Sequence, residues 1–114
     1  MHDVLQATYG CSVELTLDLI GGKWKTVILA HLKESPLRYG ELRTRIAKIS
    51  DKMLTQRLRE LTELGFVEAH DEAGRRTYRL TARGDSLRPA LQALHDWGRA
   101  VADEHGVKLD HEPQ

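Results

Sequence analysis

The stretch ISDKMLTQRLRELTELG, residues 49–65, decides how the rest of the chain reads. Leu54, Leu58, Leu61 and Leu64, with Met53 beside them, recur at helical spacing and so form one apolar stripe. Ser50 stands where a helix N-cap belongs, and Gly65 stands where a helix stops. Lys52, Thr55, Gln56 and Arg59 fall at i, i+3, i+4 and i+7, on a second, polar face. These residue types suit DNA: Lys or Arg for guanine O6 and N7, Gln for adenine, Thr for a phosphate or a thymine methyl. The same spacing also describes an ordinary solvated helix face, so the flanking sequence has to decide between the two.

Immediately upstream, RYGELRTRI places Tyr39, Leu42, Arg43 and Ile46 on a shorter helix, separated from the first stretch only by AKIS. Downstream the period changes from helix to strand. FVEAH, a turn at DEAG, and RRTYRLT predict a two-stranded hairpin in which Gly74 supplies the positive φ of the turn. Residues 39–46, 51–64 and 66–80 therefore follow the order of a winged helix-turn-helix, a helix-turn-helix (39–64) followed by a wing (66–80).

The outer segments complete a single domain over residues 1–114, mainly α with a small β-hairpin wing (α+β). Residues 11–34 read as N-terminal helices. Ser12 is expected to cap the first, with Val13, Leu17 and Ile20 on one stripe, and Gly21-Gly22 to end it. Trp24, Val27, Ile28 and Leu32 mark the second, stopped by Ser35-Pro36. Residues 81–105 read as one long helix capped by Thr81 and kinked at Pro89, with Leu87, Leu91, Leu94, Trp97 and Val101 as its apolar stripe. The tail HGVKLDHEPQ is expected to fray.

Composition excludes several classes. With 40% hydrophobic and 30% charged residues this is a soluble globular chain. Its longest apolar run, VILA at 27–30, falls far below the roughly 20 residues of a membrane-spanning helix. The start MHDVLQATYG lacks a basic segment followed by an apolar one, so the expected location is the cytoplasm, with no membrane partner. The single cysteine, Cys11, excludes an internal disulfide framework and fits a reducing compartment. The net charge of zero conceals an asymmetry. From Lys23 to Arg59 ten Lys or Arg face three acids, a balance of +7, which leaves −7 for the remainder.

Signatures of catalysis are missing from the sequence. GGKW lacks the earlier glycine and the hydroxyl residue of a phosphate loop, and no G-x-S-x-G, G-x-G-x-x-G or H-E-x-x-H occurs. The histidines at 2, 31, 70, 95, 105 and 111 include no i, i+4 pair, and one cysteine is too few for a thiolate-rich metal site. His105, Asp110 and His111 read as a polar terminus that binds metal at most by chance. Neither a cofactor nor a metal is expected, and an enzyme working through Cys11 is the least favoured reading.

CSVELTLDLIGGKWKTVILAHL, RYGELRTRIAKISDKMLTQRLRELTELGFV, YRLTARGDSLRPALQAL and WG resemble the HxlR family of bacterial and archaeal transcription regulators, relatives of the MarR type. The resemblance runs from about Cys11 to Gly98. It implies a homodimer on double-stranded operator DNA, often near its own gene and most often a repressor, with dimer contacts from the N- and C-terminal helices. It also implies that a cysteine at the position of Cys11 serves some members as a sensor of quinones, aldehydes or oxidants. The wing HDEAGRRTY departs from many members, whose hairpin is longer and often includes proline, and this bears on how deeply it inserts.

The candidate residues follow from both lines. Lys52, Thr55, Gln56 and Arg59 are the base-reading set, and Ser50 caps the helix, contacts phosphate, or does both. Arg43 and Lys48 flank the turn as phosphate anchors. Arg75 and Arg76 suit a narrow minor groove, although Asp71 and Glu72 opposite them also fit a merely solubilising loop tip. The Leu87, Leu91, Leu94, Trp97 and Val101 stripe is long for so small a domain to cover, and a partner chain is the economical cover. Two recognition helices would then meet major grooves about 34 Å apart.

Cys11 has a bland reading as a small hydrophobe. Against it, the positive end of a helix favours thiolate, with Glu14 opposing. With one thiol per chain the available chemistry is alkylation, a mixed disulfide, a sulfenic acid, or a disulfide between subunits. A hydrophobic effector lodged between the dimer helices is a further option. The alternative class is a winged-helix adaptor whose basic face meets an acidic protein.

Overall fold

The computed structural model describes residues 5–113. His2, one of the six histidines, lies outside them. In chain order the elements are α1 (Ser12–Ile20), α2 (Lys25–Leu32), β1 (Leu37–Arg38), α3 (Tyr39–Arg45), α4 (Asp51–Glu63), β2 (Val67–Glu72), β3 (Arg75–Leu80), α5 (Ala82–Asp85) and α6 (Arg88–His105). The predicted fold class, α+β with a winged helix-turn-helix, is the one observed.

The core forms where the apolar stripes meet. Ile28, Leu29 and Leu32 of α2, Leu42 of α3, and Leu54, Leu58 and Leu61 of α4 are buried together with Leu37, Ile46, Ile49, Phe66, Val67 and Leu91. Removing that much apolar surface from water, at about 25 cal/mol per Å², is what holds such short helices in place, since none is long enough to persist alone.

Local chemistry sets the element ends. Ser50 Oγ accepts from Met53 N at 3.1 Å, the N-cap predicted for α4. At its other end Gly65 takes φ 82°, Gly65 N bonds Thr62 O at 3.0 Å, and Phe66 N bonds Leu61 O at 3.0 Å. That pair of bonds is a Schellman motif, which satisfies carbonyls that the helix end would leave bare. The chain then turns directly into β2.

Several expectations need correcting. Cys11, not Ser12, occupies the N-cap of α1, and no side chain caps that helix. The sheet has three strands in the order β1-β3-β2, because Leu37 and Arg38 pair antiparallel with Tyr78 and Thr77; a strand of two residues carries no periodicity to read. The first strand of the wing runs further than expected, through Glu72, while the second begins at Arg75 as expected, so the turn is only Ala73 and Gly74, both at positive φ, 50° and 76°. Lastly, the segment 81–105 is two helices. Thr81 caps only the four-residue α5, accepting from Gly84 N at 3.1 Å, and Pro89 sits in the first turn of α6. In a first turn no intrahelical partner awaits an N–H, so Pro89 starts a helix there and costs it no hydrogen bond.

Polar contacts as well as core packing bind α6 to α2. Arg88 Nη2 donates to Lys33 O at 2.8 Å, and the buried Lys33 ammonium lies 3.3 Å from Gln92 Oε1 and 2.9 Å from Glu34. The tail, expected to fray, folds back instead: Gly106 at φ 65° turns it, Val107 N bonds Ala102 O at 2.8 Å, and Glu112 reaches within 3.2 Å of His95.

Candidate nucleic-acid interface

With its leucines turned into the core, α4 presents Lys52, Thr55, Gln56 and Arg59 to solvent, where they share one shallow surface with Asp51. The amphipathic reading of residues 49–65 thus holds, and the four predicted side chains converge.

Arg43 is placed differently from a free phosphate anchor. Its Nε bonds Asp51 at 2.7 Å and its Nη1 bonds Ile49 O at 2.5 Å, so two of its three nitrogens lock α3 to the start of α4. Tyr39 joins this lock, its hydroxyl donating to Asp51 Oδ1 at 2.9 Å while lying 3.4 Å from Thr55 Oγ1. The Tyr39 hydrogen bond first, and then the Arg43 guanidinium, hold the Asp51 carboxyl below the usual carboxylate range. Asp51 therefore stays ionised at the N-terminus of α4, where negative charge suits the helix dipole. Arg43 positions the helix more than it offers itself to a phosphate. Lys48 and Ser50 remain exposed in the turn.

On the wing, the register sets Arg76 across from Asp71 and Arg75 across from Glu72. Arg76 Nε lies 3.3 Å from Asp71, a pair exposed enough to exchange partners. Arg79 bonds Glu68 at 2.8 Å; this bond first, and then that from His70, lowers the Glu68 carboxyl from its ordinary range.

One basic residue of this face was not singled out by the sequence reading. Arg38 is exposed beside Arg75 and Arg76, around a depression that also borders the first turn of α3. Three arginines meet there because β1 pairs with β3, and no spacing along the chain announces that pairing. A neighbouring depression between α4 and the wing is bordered by Arg59, Arg76 and Tyr78, with Glu63 beside them, so the helix face and the wing adjoin in one continuous, arginine-bearing surface.

The predicted dimer stripe divides. Leu91 is buried in the protomer's own core and Leu87 packs against it, because both face α2 or the sheet. Leu94 and Trp97 stay exposed, at 57% and 73%, and Val101 is half-buried. On α1, Val13 and Leu17 are also exposed. Cys11 is solvent-exposed at the α1 N-cap, close to Glu14, whose carboxylate accepts from Gly10 N at 3.2 Å.

Residues 19–106 match the HxlR-like helix-turn-helix family. The chain belongs to the HxlR family. Among HxlR relatives, an uncharacterized HTH-type transcriptional regulator of Methanothermobacter thermautotrophicus is 46% identical over 94 residues, 80% of this chain and 72% of the relative. Two solved structures extend the likeness. The redox regulator HypR in its oxidized form superposes with a TM-score of 0.72 at 38% identity, covering 79% of this chain and 96% of HypR. Quinone-bound YodB from Bacillus subtilis superposes at 0.66 with 32% identity, covering 77% and 96%. This HxlR chain is accordingly a transcription regulator with a helix-turn-helix DNA-binding domain, and its relatives are regulators and not enzymes. No helix of the described residues is long and apolar enough to cross a membrane. Among the same residues, no group of three His, Cys, Asp or Glu side chains is placed to hold a metal ion.

Proposed function

We propose that this chain is a homodimeric, sequence-specific repressor that competes for a promoter, and that modification of Cys11 changes its affinity for the operator. The observation that carries the reading is the continuous surface from the α4 face to the wing, on which Lys52, Arg59, Arg38, Arg75 and Arg76 are exposed. Lys52, Thr55, Gln56 and Arg59 enter the major groove and read base edges. Arg38, Arg75 and Arg76 take the adjacent backbone or minor groove, Lys48 and the exposed turn at Ser50 take phosphates, and Arg43 keeps the two helices at a fixed angle.

Dimerisation uses Leu94, Trp97 and Val101 of α6 with Val13 and Leu17 of α1. Support comes from the exposure of Val13, Leu17, Leu94 and Trp97 on the two terminal helices, where each leaves apolar surface in water. The sensor proposal rests on the exposure of Cys11 on the same α1 helix, and on similarity to a redox regulator and to a quinone-bound protein. An adduct or an inter-subunit disulfide at that helix start would tilt one reading head against the other.

The test is a gel shift with a fragment spanning the protein's own promoter and random competitor DNA, before and after diamide or a quinone, for the wild type and Cys11→Ser. Specific binding that changes on treatment in the wild type only is expected. Binding unmoved by treatment removes the sensor, and equal affinity for random DNA removes the sequence-specific reader.

A further inference from the structure

An acid stands among the residues assigned to DNA. Asp51 shares the shallow face of α4 with Lys52, Thr55, Gln56 and Arg59, and its side chain is 72% exposed. It lies in the first turn of α4, and the N-terminal residues of a recognition helix are those that meet base edges. Every phosphate of a duplex repels a carboxylate, so an unrestrained acid at this place would turn away from DNA.

Asp51 is restrained. Tyr39 Oη donates to Asp51 Oδ1 at 2.9 Å, and Arg43 Nε donates to the same oxygen at 2.7 Å. Both donors come from α3, so the second helix of the pair carries a carboxylate whose orientation the first helix sets. Among the described residues no hydrogen bond reaches Oδ2. That oxygen is left as an acceptor with no proton to give.

The major groove sorts bases by that demand. Guanine presents O6 and N7, and thymine presents O4, all acceptors that an ionised oxygen repels. Adenine sets its N6 amine beside the acceptor N7, whereas cytosine presents its N4 amine with no acceptor of its own. We infer that Asp51 is a specificity-determining residue whose Oδ2 selects the amine of one cytosine in the sequence that each α4 reads. The inference rests on α4 being the reading helix, and within it Tyr39 and Arg43 are positioning residues. Phosphate repulsion offsets much of the contact's attraction, so its main effect is to reject the other three bases.

The test is selection of bound duplexes from a pool of randomised sequence, sequenced after capture by the full chain. It compares the wild type with Asp51→Asn, Asp51→Ala and Arg43→Ala, each checked for fold by circular dichroism. The wild type should favour cytosine at one position per half-site by about tenfold, the factor that a hydrogen bond to a charged group provides. In Asp51→Asn the amide oxygen has to face Tyr39 and Arg43, because both donate, so the amide NH2 takes the place of Oδ2. Preference at that position should then pass from cytosine to guanine or thymine, whose acceptors suit an amide donor, while the other positions keep theirs. Asp51→Ala should lose the cytosine preference without gaining another. If Asp51 served only to tie α3 to α4, its variants would lose affinity for all sequences alike, as Arg43→Ala should. Such a uniform loss, an unchanged cytosine preference in Asp51→Asn, or a wild type that favours no cytosine overturns the assignment. A wild type without preference at any position removes the sequence-specific reader as well, whereas preferences retained elsewhere leave that reader standing.

Discussion

Gly84→Ala probes the joint that holds the wing. A Cβ built on Gly84 would lie 2.1 Å from Phe66 O and 3.1 Å from Phe66 C, both backbone atoms, with Leu80 Cδ2 at 3.2 Å. Ordinary contact begins near 3.4 Å, so α5 or the Phe66 strand entry has to move by about 1.3 Å. Neither can move freely, because Thr81 N bonds Phe66 O at 3.1 Å and Thr81 Oγ1 bonds Gly65 O at 2.5 Å. Overpacking costs about 1–3 kcal/mol, and weakening those bonds adds about 1 kcal/mol, giving roughly 3 kcal/mol in all. At about 4 °C per kcal/mol for a domain of this size, the melting temperature should fall by about 12 °C. The fold should survive, since typical stabilities are about 5–15 kcal/mol. The assay is urea and thermal unfolding by circular dichroism, with Gly40→Ala as the control. Gly40 is helical with nothing within 4 Å of its built Cβ, so alanine there should be neutral or stabilising. A Gly84→Ala loss below about 1 kcal/mol, or an equal loss in the Gly40 control, refutes the claim that close approach locks wing to helix.

Three further outcomes are expected. Gln56→Ala and Arg59→Ala should narrow the ratio of operator to random-DNA affinity by about 1–3 kcal/mol each, whereas Arg43→Ala should weaken binding to every sequence by releasing α3 from α4; competition gel shifts separate the two behaviours. Leu94→Asp with Trp97→Asp should yield a folded monomer in sedimentation velocity, and an unchanged dimer would move the interface elsewhere. Because the folded His31 imidazole has its pKa lowered below 6.5, the unfolded chain binds the proton more readily. Stability should accordingly be fully present above about 6.5 and decline as pH falls from there toward the folded-state pKa, a slope that His31→Phe should remove if urea midpoints are compared across pH.

Much of the helix-turn-helix and its candidate interface was legible because its signals are local. The leucine stripe of residues 49–65, the Ser50 cap and the Gly65 stop each depend on neighbours within a turn or two, and the four polar residues share a face by spacing alone. What was missed depends on partners far along the chain. Arg38 joins Arg75 and Arg76 only through strand pairing, and the commitment of Arg43 to Asp51 and Ile49 is a matter of side-chain reach, which spacing does not encode. Pro89 was misplaced for a different reason: proline is compatible with a first turn and disruptive in a middle one, and the sequence pattern alone did not reveal the break at Ser86–Leu87. The division of the α6 stripe follows the same logic, since only packing tells Leu91, which is buried in the core, from Leu94 and Trp97, which stay exposed.

The brief strand β1 gives the wing the mechanics of a cantilever with a clamped base. Leu37 and Arg38 grip Tyr78 and Thr77, and beyond that clamp only the rungs Asp71 with Arg76 and Glu72 with Arg75 extend to the Ala73-Gly74 tip. A beam so short at its free end transmits a load on the tip straight to β1, and through the continuous backbone of Arg38 and Tyr39 to the first turn of α3. Force applied at the wing is therefore felt at the helix-turn-helix, and strain that DNA imposes on one arm need not be absorbed by that arm alone.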